Sequence, residues 1–353
     1  MSLERHTMIR LMLTCLIFAV SSASAAEQTN PAGNAEAGGA AAWVMPRTEY
    51  GVPDFQGIWF FGSRTPLQRP RNLGTQTTYS EQEIREQERR MRLRLDDQAA
   101  PLNPDRSAPE AGAEIRQEAD DAFLAHYLEP VVTPIAGEYR TSVITEPPDG
   151  RVPATRSGFQ DLYARRQARG LSATDGPEGQ PLSGRCLIFG AAIPSLTPMM
   201  MNPNLQIVQN KNYVVVMTEM IHDARIIRLG KAHHNDGVNR WMGDSVGHWE
   251  GDTLVVHSQH FRPEQSASRM GFRVSEQFEV IERYTLTSDE TIHYGFTVND
   301  PEAYGVLISG ERTLSRNAPE ERLYDFECHE GNYSLSAILR GARMAEVRAE
   351  LGR

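Results

Sequence analysis

Residues 277–298 read QFEVIERYTLTSDETIHYGFTV. Over the first half of this stretch Phe278, Val280, Tyr284 and Leu286 fall on one face, with Glu282 interrupting the row. Ser288-Asp289-Glu290 then turns the chain, and Ile292, Tyr294, Phe296 and Val298 alternate with His293, Gly295 and Thr297. Strand side chains point to opposite faces in turn, so this period of two predicts an antiparallel pair, Gln277 to Thr287 and Thr291 to Val298, buried on one side. Working outward, Leu205 to Gln209, Tyr213 to Ile221 and Ala224 to Leu229 are rich in β-branched and aromatic residues, with Asn210-Lys211-Asn212 as a tight-turn signal. Asp252 to Ser258 follows the Glu250-Gly251 turn, and Val306 to Ser315 and Leu323 to Cys328 complete the series. Short strands at hairpin spacing, with no alternation of strand and helix, predict a mainly β fold, a closed or nearly closed antiparallel β-barrel. Barrels of this strand number often hold one small ligand.

Helices flank the strands. Ser80-x-x-Glu83 is a capping box opening a charged helix to about Asp97, a solvated face in its simplest reading. An apolar stripe predicts a second helix from about Pro109 to Leu128, and Ser157-x-x-Gln160 opens a third, so a helical insertion occupies about 80–170. Tyr333 to Glu350 reads as a closing helix. Near the start, Arg5 and Arg10 precede the apolar run LMLTCLIFAV and an Ala23-x-Ala25 pattern, the signature of a secretory signal peptide over residues 1–25. Residues 26–42 contain no bulky apolar side chain and read as a flexible tether to a single domain over 43–353. The expected destination is periplasmic or secreted.

The chain of 353 residues carries 46 acidic against 36 basic side chains, a formal charge of −10, and remains acidic without residues 1–25. That balance removes the attraction on which nucleic-acid binding rests and argues against an anionic membrane surface after signal cleavage. Cys186 and Cys328 remain after the leader and can close one disulfide in an oxidising compartment. Two buried free thiols are the alternative, and a catalytic Cys328 beside His329 is a third, minor reading.

Gly57-x-Trp59 on the segment Phe55 to Phe61 resembles the opening strand of lipocalin-like barrels, where the tryptophan plugs one end; a buried Trp on an ordinary strand is the alternative. A wider resemblance rests on five blocks: NLQIVQ (204–209), EMIHDARII (219–227), Gly243-Asp-Ser245, HWEGDTLVV (248–256) and ECHEGNY (327–333). Together they resemble a large group of uncharacterised exported bacterial proteins over most of residues 50–343. The resemblance implies one shared domain and carries no reaction.

The candidate chemistry follows from the same blocks. If Met220 and Ala224 face the barrel interior, His222 points inward with them as a general base, while Asp223 and Arg225 share the other face and can pair; a core histidine is the competing reading. His329 and Glu330 sit at an element end beside Cys328, where an acid/base pair is held in place, or where Asn332 or Gly331 simply caps a turn. Glu250 belongs first to a hairpin turn and second to a site. Trp59, Trp249, Met200 in the Met199–Met201 run, Tyr213 and Arg225 are the candidate ligand-lining residues. His233, His234, His257 and His260 widen the pool of metal ligands without a metal-site spacing, so no metal and no cofactor are expected. His-Glu-x-x-His, Gly-x-Ser-x-Gly, phosphate-loop and dinucleotide motifs are absent. The reading is an exported barrel that encloses a small, largely apolar molecule and acts on it by cofactor-independent acid/base chemistry. A non-catalytic binding protein and an envelope structural protein are the alternatives.

Overall fold

A computed structural model describes residues 43–99, 132–188, 202–265 and 272–352. The helix expected from about Pro109 to Leu128, and Met200 with its neighbours, lie outside the described residues. The strands are β1 (Gly57–Phe60), β2 (Ile144–Glu146), β3 (Asn204–Gln209), β4 (Tyr213–Thr218), β5 (Ala224–Leu229), β6 (Asp244–Glu250), β7 (Thr253–Gln259), β8 (Glu279–Ser288), β9 (Thr291–Asn299) and β10 (Ile308–Arg316). The helices are α1 (Glu81–Ala99), α2 (Leu162–Ala168) and α3 (Tyr333–Glu350).

Nine strands close in the order β1-β3-β4-β5-β6-β7-β8-β9-β10, with β10 returning to β1. The protein is thus mainly β and built on a closed barrel, which leaves no long open sheet edge. β10 shares its other side between two partners: its last residues pair with β1 and its first with β2. The expected alternation decides which side is core. Val280, Glu282, Tyr284 and Leu286 of β8 and Ile292, Tyr294, Phe296 and Val298 of β9 are all buried, and the residues between them face outward.

The structure differs from the sequence reading at several places. β5 and β6 pair in parallel, not antiparallel, so residues 230–243 must cross back outside the wall. β6 itself was hidden by Gly247 and its polar neighbours. A side chain at 247 would meet Ile227 at 2.8 Å, so glycine there lets β5 side chains lie across the strand. The strand expected to reach Ile221 stops at Thr218, because Ile221 (φ 63) and His222 (φ 45) turn the chain. Residues 323–328 form no strand, and the third helix starts after Asp161, whose side chain accepts from Ala164 N–H.

Around the barrel, Ser80 and Glu83 exchange the two capping-box bonds, Ser80 N–H to Glu83 Oε2 (2.7 Å) and Glu83 N–H to Ser80 Oγ (3.3 Å). Cys186 and Cys328 form a disulfide, with Cα atoms 5.7 Å apart, and this excludes a catalytic Cys328 thiolate. The bond suggests an oxidising environment. It ties the loop after α2 to the turn before α3, where Asn332 caps the helix. Among the described residues no helix is long and apolar enough to cross a membrane.

Trp59 is fully buried, donates from Nε1 to Phe55 O (2.8 Å), and lies under the Arg316 guanidinium at 4.1 Å. Trp249 stacks on Phe55 beside it, ring centroids 5.6 Å apart. Inside, Arg225 and Glu282 form a two-bond ion pair, and the hydroxyls of Tyr284 and Tyr294 both donate to Glu282 Oε1 (3.0 and 2.9 Å). Every charged atom of this carboxylate is met without water, as a buried charge requires. Arg225→Met alone should cost about 3–5 kcal/mol in urea unfolding because it strands Glu282, whereas Arg225→Met with Glu282→Leu should recover most of that loss.

Candidate functional site

The residues singled out in the sequence do not meet. His222 is exposed on the turn after β4, as is Ala224, while Met220 and Ile221 before it are buried. Arg225 faces inward and pairs with Glu282, not with Asp223, since the strand after the turn begins in the opposite phase. His329 and Glu330 are exposed in the turn before α3. Glu250 is exposed at the end of β6, where it accepts from Arg283 Nη1 (2.8 Å) and meets His248 Nε2 (3.1 Å). Tyr213 is outward and exposed, Trp59 is sealed in, and Trp249 packs against Phe55.

Much of the barrel interior is packed with its own side chains. Trp59, Tyr284, Tyr294, Leu254, Val256, Ile292 and Leu314 are at most 2% exposed. Ser245 and Ser258 bond to each other across the inner face (2.7 Å). Arg312 stands apart from this satisfied set. Its Nη1 donates to Phe61 O (2.5 Å), but Nε and Nη2 are buried without a hydrogen-bond partner among the described residues. Burial pulls the Arg312 guanidinium down to about 10, with Tyr294 opposing.

A His and a carboxylate share an open cavity on the outer face. A groove of about 260 Å³ runs over β7–β10 and β2, lined by Thr145, Ile281, Arg283, His293, Gly295 and Glu311 among others. Alternation puts His293, Gly295 and Thr297 of β9 outward, and the β9–β10 register sets Gly295 opposite Glu311. His293 Nε2 lies 3.5 Å from Glu311 Oε2, and Arg140 Nη2 lies 3.3 Å from the same oxygen. The His293 contact is longer than a well-formed hydrogen bond, leaving Nε2 buried and unmet among the described residues. That imidazole, and then the Arg140 charge, outweigh burial and hold Glu311 below the usual carboxylate range. Across the floor stands Arg283, paired with Glu250, so one expected residue reaches the groove through its partner. Hydroxyl pairs Thr253–Thr285 (2.7 Å) and Thr297–Ser309 (2.9 Å) flank it. At Gly295 a side chain would meet only Gly310 O, at 4.0 Å, so glycine here keeps the floor low without any packing need.

A second polar assembly sits where residues 230–243 cross the outer wall. Asp244 accepts from Arg228 Nη2 (2.9 Å), from His234 N–H (2.8 Å), and meets the Nδ1 atoms of His233 (2.9 Å) and His234 (2.8 Å). Burial pushes its carboxyl up, but these bonds outweigh it and the net shift is strongly downward. Among the described residues no group of three or more His, Cys, Asp or Glu side chains is arranged to hold a metal ion.

A larger recess, about 690 Å³, is lined by Arg156, Arg165 and Glu302. Arg156 Nη1 donates to Pro301 O and Arg165 Nε to Gln160 O, and Arg165 lies 3.9 Å from Glu302. Sequence reasoning missed the groove because Glu311 and His293 come from different strands. The signal was the outward row of β9, where a glycine interrupts a strong strand between His293 and Thr297. No family model matches the chain, and no curated protein matches it in sequence.

Asp223, half-buried beside His222, has its carboxyl pushed up to about 6 by burial, against the opposing His222 charge. A carboxyl raised in the folded state favours folding below its unfolded value and loses that advantage as pH rises through about 6. Asp223→Asn should therefore leave stability unchanged at pH 4 and raise it at pH 8, by about 1 kcal/mol once solvent screening is discounted. Thermal unfolding at the two pH values measures the difference.

Proposed function

We propose that the protein is an exported barrel that binds a small molecule in the outer groove and acts on it with His293 and Glu311 as a cofactor-independent acid/base pair. The observation that carries the reading is the meeting of an imidazole and an ionised carboxylate in one open, small-molecule-sized cavity. Glu311 lies on the Nε2 side of His293, and a proton held there would leave Nδ1 as the basic nitrogen. Arg283 supplies a cation across the floor for charge that develops on the substrate. Exposed Ile281 gives the groove an apolar side, and the threonine and serine hydroxyls give it a polar one, which fits a substrate with both kinds of surface. Elimination, isomerisation and hydrolysis all use such a pair.

The test separates binding from chemistry. Fragments from a trifluoromethyl library that bind the wild-type protein by ¹⁹F NMR should lose binding in Gly295→Leu, whose side chain fills the floor without disturbing the core. Turnover of a ligand grown from those fragments should fall at least a hundredfold in His293→Gln with binding retained. Undiminished fragment binding in Gly295→Leu would remove the groove from consideration.

Arg312 favours a second reading, a non-catalytic barrel that encloses an apolar molecule bearing one anionic group. A buried guanidinium with two unmet donors is the partner such a group needs. Native mass spectrometry of protein purified from its own compartment should then show an acidic species that is lost on denaturation and absent from Arg312→Met.

A further inference from the structure

We propose that the chain of contacts Asp244–His233–His257–Glu279 is a proton-gated latch that holds the crossing segment 230–243 against the barrel wall. The segment exists because β5 and β6 are parallel neighbours, so the chain must run back outside the wall between Leu229 and Asp244. Its two ends are fixed by backbone bonds, Gly230 N–H to Gly247 O (2.8 Å) and Arg240 N–H to His260 O (2.8 Å). Between them, over residues 231–239, His233 is the one side chain that is not exposed. The hold on the middle of the segment therefore passes through His233, with His234 beside it on Asp244.

The donors and acceptors determine the charge of the latch. His233 Nδ1 faces Asp244 Oδ2 (2.9 Å), His233 Nε2 faces His257 Nδ1 (2.9 Å), and His257 Nε2 faces Glu279 Oε2 (3.2 Å). Both outer contacts end on carboxylate oxygens, and Glu279 accepts from Asn299 through its other oxygen (2.5 Å). Each outer ring nitrogen must then carry a proton, and the central N···N contact needs one more. Three protons on four ring nitrogens make one imidazolium, shared by the pair. With one proton fewer, one of the three contacts loses its hydrogen. With one more, two N–H groups face each other across 2.9 Å and the central contact breaks.

Arg228 on β5 is bonded to Asp244, His234 shares that carboxylate, and Arg240 with Asp236 closes the far end of the segment. His260, at the end of β7, lies edge-on to His233 at 6.2 Å. Burial, acting against the Asp244 bond, holds His233 below the ordinary imidazole range. Acidification opens the latch by adding a proton to the pair, and alkaline pH weakens it by removing the shared proton.

Hydrogen–deuterium exchange of the full chain, with intrinsic rates corrected at each pH from 4.5 to 9, reads the latch directly. Protection of segment 230–243 should pass through a maximum and fall about tenfold on the acid side, the loss of roughly one hydrogen bond. In His257→Gln, which can bridge its neighbours but cannot titrate, the acid limb should flatten. Selective ¹⁵N-histidine labelling should show coupling across the bond between His233 Nε2 and His257 Nδ1 at the protection maximum. A wild-type profile that is flat across the range, or the lack of that coupling, would overturn the proposal.

Discussion

A single buried ion pair constrains the barrel more than any other contact. Arg225 on β5 and Glu282 on β8 are not wall neighbours, yet their side chains meet in the interior, with Tyr284 and Tyr294 completing the shell of the carboxylate. A one-residue slip of β8 would turn Glu282 to solvent and leave Arg225 buried without a counter-charge, so the pair selects one register. It also requires closure, because the two strands face each other only when the sheet bends round on itself. Burial and the pair act in opposite directions on Arg225: desolvation favours losing its proton, and the nearby Glu282 charge more than restores it. The same environment pushes the Tyr284 hydroxyl well above its ordinary range, which keeps it a hydrogen-bond donor.

With much of the interior taken up by packing and this pair, the outer face carries ionisable groups of its own. β9 shows the division along one strand, with Ile292, Tyr294, Phe296 and Val298 in the core and His293, Gly295 and Thr297 on the groove. β7 and β8 repeat it, since His257 and Glu279 belong to the outward rows while Val256, Ser258, Val280 and Glu282 face in. The groove and the crossing segment are both consequences of wall topology. The groove follows from a low glycine floor, and the crossing segment follows from a parallel pair that no hairpin can join.

Much of the framework was legible in the residues. The alternation in 277–298 placed β8 and β9, the Glu250-Gly251 turn marked the start of β7, and Ser80 and Glu83 opened α1 as written. Glu282 stood out as the residue that broke an apolar row, and its disruption of the pattern marked the interior ion pair without naming the partner. Expectations built on which way a residue points after a turn fared worse. His222 and Arg225 were assigned faces on the assumption of an unbroken strand, and the left-handed residues Ile221 and His222 reset the phase between them.

Local periodicity determined most of the strands and the barrel class, because those depend on alternation along a segment, and left Cys186 and Cys328 able either to pair or to stay free thiols. Tertiary structure alone decided that β5 and β6 run parallel, that Gly247 lies under β5 side chains, and that His293 meets Glu311 and His233 meets His257. Such meetings depend on register between strands distant in sequence. A strand's own residues state which face a side chain takes, and only closure of the barrel states what stands beside it.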